Sequence, residues 1–231
     1  NIMNNLQNFT QYKSEQELLE AFAGIAFQKQ HNLAEIIGNN DWNADLTSGI
    51  VTFGDFEAPI QILGTYSYES ETWLWAWANT QSELSAEITQ QANALKIFGE
   101  KQNIDFLQNA QLDFDNEVDL HIIGTIASGM FDSSAYYTAD YGDGILVFTI
   151  DSQTIDNVPH DEHLRMASVI PQIISMYELN HRSAIQKYLE VLGYEITANT
   201  ATLTATLTAT KNDKKIEIDF DELGRMTNLK G

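Results

Sequence analysis

QILGTYSYESETWLWAWAN, residues 61–79, decides how the rest of the chain is read. Trp73, Trp75 and Trp77 alternate with Leu74, Ala76 and Ala78, so an extended strand sends three indoles to one face and smaller side chains to the other. Residues 60–67 are also extended in character, and the intervening Tyr68-Glu69-Ser70 has the length of a hairpin loop. The expectation is a Trp-rich β-hairpin opened by Pro59, whose missing N–H does least harm at a strand start. Three of the four tryptophans are spent on that one strand.

Working outward, Ser14 and Glu17 form a capping box, and Leu18, Leu19, Phe22, Ile25, Ala26, Leu33, Ile36 and Ile37 mark one helical face that Gly38 and Asn39 terminate. Two short strands, 42–46 and 49–53, follow across a Thr47-Ser48 turn. Beyond the hairpin, Leu84, Ile88, Ala92, Leu95 and Phe98 predict a helix over 82–98 stopped by Gly99, while 104–114 fits either helix or strand. A further helix begins near Asn116 with Val118, Ile122, Ile123, Ile126 and Met130 facing inward. A second hairpin, 135–140 with 145–150, is closed by Tyr141-Gly142-Asp143-Gly144. Helical pattern resumes at Pro159, is kinked or restarted at Pro171 and is capped by Gly193. The final 38 residues read as strands: a Thr-Ala alternation over 200–210, then 215–221 with Ile216, Ile218 and Phe220 on one side, then a last short strand. The fold class is α+β, antiparallel hairpins and sheets packed against helices with a C-terminal antiparallel meander. Domain organisation is read as 1–155 and 156–231, the latter either separate or part of the same domain.

GTYS at 64–67 followed by TWLWAWAN at 72–79 resembles the signature of an uncharacterised bacterial domain-of-unknown-function family. The order of elements matches over roughly 15–150: a helix, a strand opened by Gly49, the Trp-rich hairpin, two helical patterns and Ala135-Tyr136-Tyr137. The resemblance implies kinship of fold and brings no activity, cofactor or catalytic residue.

The chain carries 33 acidic against 12 basic side chains, a net charge of −21, with only three arginines and no cysteine. The lack of cysteine removes disulfides, thiolate metal sites and thiol nucleophiles. Nucleic acid and anionic membrane surfaces both require a surplus of Lys and Arg, so neither is an expected partner. The first 120 residues hold 18 acids and 4 bases, a net of −14, so acidity concentrates in the half with the Trp hairpin. That suits a basic protein partner. No run approaches the length of a membrane span, no signal peptide is visible, and a cytoplasmic location is expected.

The candidate binding residues are Trp73, Trp75 and Trp77 as an aromatic platform for a sugar or peptide, and Tyr136, Tyr137 and Tyr141, which with Asp140 make a polar pocket. Core packing competes for both groups. His160-Asp161-Glu162-His163 lacks the i, i+4 histidine spacing of a zinc helix. Asp113, Asp115, Glu117 and Asp119 lack a calcium loop. Glu69 and Glu71 sit at a loop tip, poorly placed for a desolvated acid. No metal and no cofactor is expected, and no GxSxG, phosphate loop or HExxH is present. Two functions remain: a non-catalytic acidic binding or regulatory protein, immunity-like in meeting a basic partner, or an enzyme on a small molecule or carbohydrate with a cleft near the Trp hairpin. A homodimer through the Thr-rich strand edge is a third possibility.

Overall fold

A computed structural model describes residues 6–199 and 205–231. The fold is mixed α+β, as expected, and clusters into two units. The first comprises residues 1–15 and 29–158, the second 16–28 and 159–231. Helix α1 (Glu15–Ile37) is continuous in sequence through both assignments.

In the first unit β1 (Trp42–Asp45), β2 (Ile50–Phe53), β3 (Phe56–Ser67), β4 (Thr72–Trp75), β5 (Gln111–Asp113), β6 (Ala135–Asp140) and β7 (Gly144–Ile150) form one antiparallel sheet. Strand β3 is its hub. It pairs with β2 through 56–59, with β4 through 64–67, and with β7 from Ile60 to Ser67. The strand therefore starts before Pro59 rather than at it, after a two-residue Gly54-Asp55 turn in which Gly54 takes φ +58. Pro59 sits where β3 passes from β2 to β7, and only its carbonyl is used, accepting from Asp151 N at 3.2 Å.

Helix α2 (Gln90–Gln102) starts later and ends later than the apolar spacing predicts. The chain before it is spent on the sheet instead: Ile62 N donates to Ile88 O at 2.7 Å, and Gln61 Nε2 to Glu87 O at 2.9 Å. Gly99 lies inside α2, where an added Cβ would come within 2.6 Å of the Leu107 Cβ on α3 (Asp105–Gln108). Asn103, at φ +57, ends the helix in its place. Helix α4 (Val118–Phe131) follows β5. The register puts Tyr66, Trp73, Trp75, Tyr136, Val147 and Thr149 on one sheet face, where α2 and α4 pack. Ile60, Ile62, Ala135, Phe148 and Ile150 share the other, buried with Leu33, Ile36 and Ile37 of α1. Short α5 (Gln153–Asp156) adds Ile155 to that cluster.

The second unit packs α6 (Glu162–Met176), α7 (His181–Val191) and the first half of α1 with a sheet ordered β11-β10-β9-β8. Its strands are β8 (Glu195–Asn199), β9 (Thr206–Lys211), β10 (Lys214–Phe220) and β11 (Met226–Lys230), the expected meander, with Leu207, Ala209, Ile216, Ile218 and Phe220 buried. Residues 200–204 of the Thr-Ala alternation lie outside the described residues. Helix α6 continues through Pro171 and breaks only at Tyr177, after which Asn180 caps α7 by accepting from Ser183 N. Asp161 caps α6 by accepting from His163 N and Leu164 N, which accounts for the acid beside the two histidines. Among the described residues no helix is long and apolar enough to cross a membrane, and no group of three His, Asp or Glu side chains forms a metal site.

Candidate functional site

The three indoles do not share a strand face. Strand β4 ends at Trp75, and Ala76–Ala78 turn into a 3-10 segment that takes Trp77 off the sheet. The β3–β4 pairing ends at Gly64↔Trp75, next to the point between Ile62 and Gly64 where β3 bulges against β7. Trp73 and Trp75 are fully buried, 5.4 Å apart edge to face, with Phe106 and Phe114 completing the cluster. Trp75 Nε1 donates to Phe106 O at 3.2 Å. Trp77 is half-buried beneath the Lys96 ammonium, 4.6 Å from its ring centroid. These indoles are core and rim, not an open platform.

The tyrosines also separate. Tyr136 is buried on a strand that pairs with β7, and its own outward backbone groups are taken by Gln30, which donates to Tyr136 O and accepts from Tyr136 N. Its ring lies on Gly124 of α4, and its hydroxyl is 3.0 Å from His121 Nδ1. Burial holds His121 below the usual imidazole range, against the opposing charge of Glu117. Tyr137 points to the opposite face and packs edge-on against Phe53 at 4.9 Å. Tyr141 is 49% exposed in the β6–β7 turn. Because β3 and β7 lie between β4 and β6, the two hairpins are neighbours in one sheet and do not face each other across a cleft. The six residues are not brought together.

What the sheet does bring together is the loop ends of those hairpins. Tyr68 N donates to Asp143 O at 3.1 Å and the Tyr68 hydroxyl donates to Asp140 Oδ2 at 3.0 Å, so the 68–71 loop is stitched to the 140–144 turn. Asp140 Oδ1 also accepts from Gly142 N, fixing the turn. Tyr68 and Tyr141 are exposed there, with Glu69, Glu71, Glu117, Asp140 and Asp143 exposed as well. Partial desolvation, Asp140 and Glu117 push the Tyr68 phenol up to about 12. Tyr66 beneath it is raised by burial and by Glu71, Glu117 and Asp119. The Tyr66-x-Tyr68 alternation into an acidic loop was the available sequence signal, overshadowed by the tryptophans that follow.

The carboxylate pair Glu15 and Asp119 belongs to the same unit. Burial first, and the neighbouring Asp119 charge second, raise Glu15 to about 7 from 4.5. Burial also raises Asp119, with Asp115 adding repulsion. A carboxyl raised on folding carries no penalty below the unfolded value of 4.5; its destabilising effect grows as pH rises toward 7 and is constant above. Glu15→Gln is therefore expected to stabilise by about 1–2 kcal/mol at pH 8, discounted for partial exposure, and to be neutral near pH 4. Urea unfolding of both proteins at the two pH values measures it.

An open groove of about 620 Å³ also lies in this unit, with apolar walls from Ile36, Phe53 and Phe56 and polar groups from Asn40, Asp55 and Thr154. Residues 16–153 match the model of a family described as a family of unknown function, DUF6882. No curated protein and no solved structure matches the chain.

Proposed function

We propose, from the premise that the chain belongs to the family of unknown function DUF6882, that it is a non-catalytic binding module whose acidic first unit receives a basic protein partner on the Tyr68–Tyr141 surface. The observation that carries this reading is the division of charge. The first unit holds 21 Asp and Glu against 4 Lys and no Arg, a net of −17; the second holds 12 acids against 8 bases, a net of −4. Three of the four lysines are already engaged: Lys13 with Gln102, Lys29 with Asp132 and the Ser133 carbonyl, Lys96 with Glu100 and Trp77. A field of one sign steers an oppositely charged partner and disfavours nucleic acid and anionic lipid. Exposed tyrosines among carboxylates suit Arg and Lys side chains, which gain from a ring face and from ion pairing together. The role parallels that of immunity proteins, in a cytoplasmic setting.

The test is titration of the full chain with a lysine- and arginine-rich peptide at about 20 mM and about 300 mM salt. Affinity is expected to fall at least about tenfold with salt. It is also expected to fall about tenfold in Tyr68→Ala combined with Tyr141→Ala, as two ring contacts of about 0.5–1 kcal/mol each are lost. Glu195→Gln with Glu217→Gln, in the second unit, should leave it unchanged. Salt-independent binding, or equal loss in both double variants, refutes the assignment.

A further inference from the structure

The last strand is tied down by a histidine in one protonation state. Met226 N, at the start of β11, donates to His181 Nδ1 at 2.9 Å. A ring nitrogen that accepts a backbone N–H carries no proton, so this bond exists only with neutral imidazole, protonated on Nε2. His181 is also the first residue of α7, where the unpaired N–H groups of the helix start oppose a positive charge. Strand β11 is otherwise held by β10, through the ladder and through Asp219, whose carbonyl accepts from Thr227 Oγ1 at 3.1 Å and whose carboxylate accepts from Asn228 Nδ2 at 3.1 Å. Among the described residues it pairs with β10 alone, with a register irregularity at Asp219/Phe220, and none of its five residues is buried.

We infer that His181 is a proton-sensitive latch on β11: protonation of its Nδ1 breaks the Met226 bond and frees the strand from the edge of β10. The charged groups around it act in both directions. On the β10–β11 turn Asp221 favours the imidazolium while Arg225 opposes it, and these two are bonded to each other, Arg225 Nε to Asp221 Oδ2 at 2.8 Å. From α1, Glu20 reaches the same helix start and accepts from Asn180 N at 2.9 Å. On α7 itself Arg182 is the next residue. Burial is the largest influence and holds His181 below the usual imidazole value. Release then lies on the acid side of neutrality and leaves the outer backbone groups of β10 unpaired, an edge open to another strand.

Nitrogen-15 NMR of the full chain between pH 8 and 5 tests this. The His181 ring nitrogens and the Met226 amide are expected to shift with one common midpoint below 6.5, and amide protection over 226–230 to drop about tenfold across it. In His181→Gln that pH response is expected to vanish, whether the strand is held by the amide oxygen or already free. A Met226 amide indifferent to His181 titration overturns the inference. So does a pH response that survives the substitution or follows a carboxylate.

Discussion

Gly64→Ala is expected to unfold the first unit or to destabilise it by more than about 3 kcal/mol, among the largest effects a single methyl can have. Gly64 needs no unusual backbone angle; it needs space. An added Cβ would lie 2.3 Å from the Leu74 carbonyl oxygen and 2.5 Å from Cζ2 of Trp73. Neither can retreat. Leu74 O belongs to the β3–β4 hairpin, and the Trp73 indole is fully enclosed against Trp75 and Phe114. The glycine follows the β3 bulge directly, where the strand must bend while an indole lies across it. All four tryptophans belong to this unit, so denaturant unfolding followed by their emission reports on it specifically. Gly38→Ala is the control: φ is +54 with nothing within 4 Å of the new methyl, and the cost should be about 1 kcal/mol of backbone strain.

Gly24→Ala is expected to be comparably severe in the second unit. Its Cβ would come within 2.3 Å of Tyr188 Cγ and 2.4 Å of Tyr188 Cβ, near the root of a side chain with no room to swing. Tyr188 is 1% exposed and anchored at its far end, the hydroxyl donating to Gln28 Oε1 at 2.6 Å. Moving the ring would break that bond and strand a buried amide oxygen, adding about 1–3 kcal/mol to the overpacking cost. Amide exchange over α7 and β9–β10 measures the loss, since no tryptophan reports on this unit. The first unit repeats the arrangement, with Tyr136 on Gly124 and a 2.2 Å approach. In both, a helix glycine is a seat for a tyrosine ring, which is why Tyr136 became core rather than ligand contact.

The parts legible from sequence were those governed by neighbours in the chain. Alternation around Tyr141-Gly142-Asp143-Gly144 located β6 and β7, and Ile216, Ile218 and Phe220 located the buried side of β10. The face of α1 from Leu18 to Leu33 and its stop at Gly38 follow from 3.6-residue spacing and a left-handed glycine. Errors arose where a distant segment claimed the backbone. Residues 82–89 have helical apolar spacing, yet Ile88 O and Glu87 O are taken by β3. Gly99 read as a stop because glycine usually ends helices; here it admits Leu107. The candidate site followed the same rule. Carboxylates and tyrosines could be counted in the sequence, but Tyr68 and Asp140 meet only because β3 pairs with β7.

Composition and short-range periodicity, which express the preferences of single residues and their neighbours, were enough for an α+β chain of net charge −21 with a C-terminal antiparallel meander. Tertiary structure alone decided that Trp73 and Trp75 are sealed while Trp77 leaves the strand, that residues 16–28 of α1 cluster with the C-terminal part, and that −17 of the charge falls on one unit. Those outcomes depend on which surfaces meet across tens of residues. Steric fit at Gly24, Gly64 and Gly124 and the backbone bonds claimed by β3 select them, and neither leaves a periodic trace in the sequence.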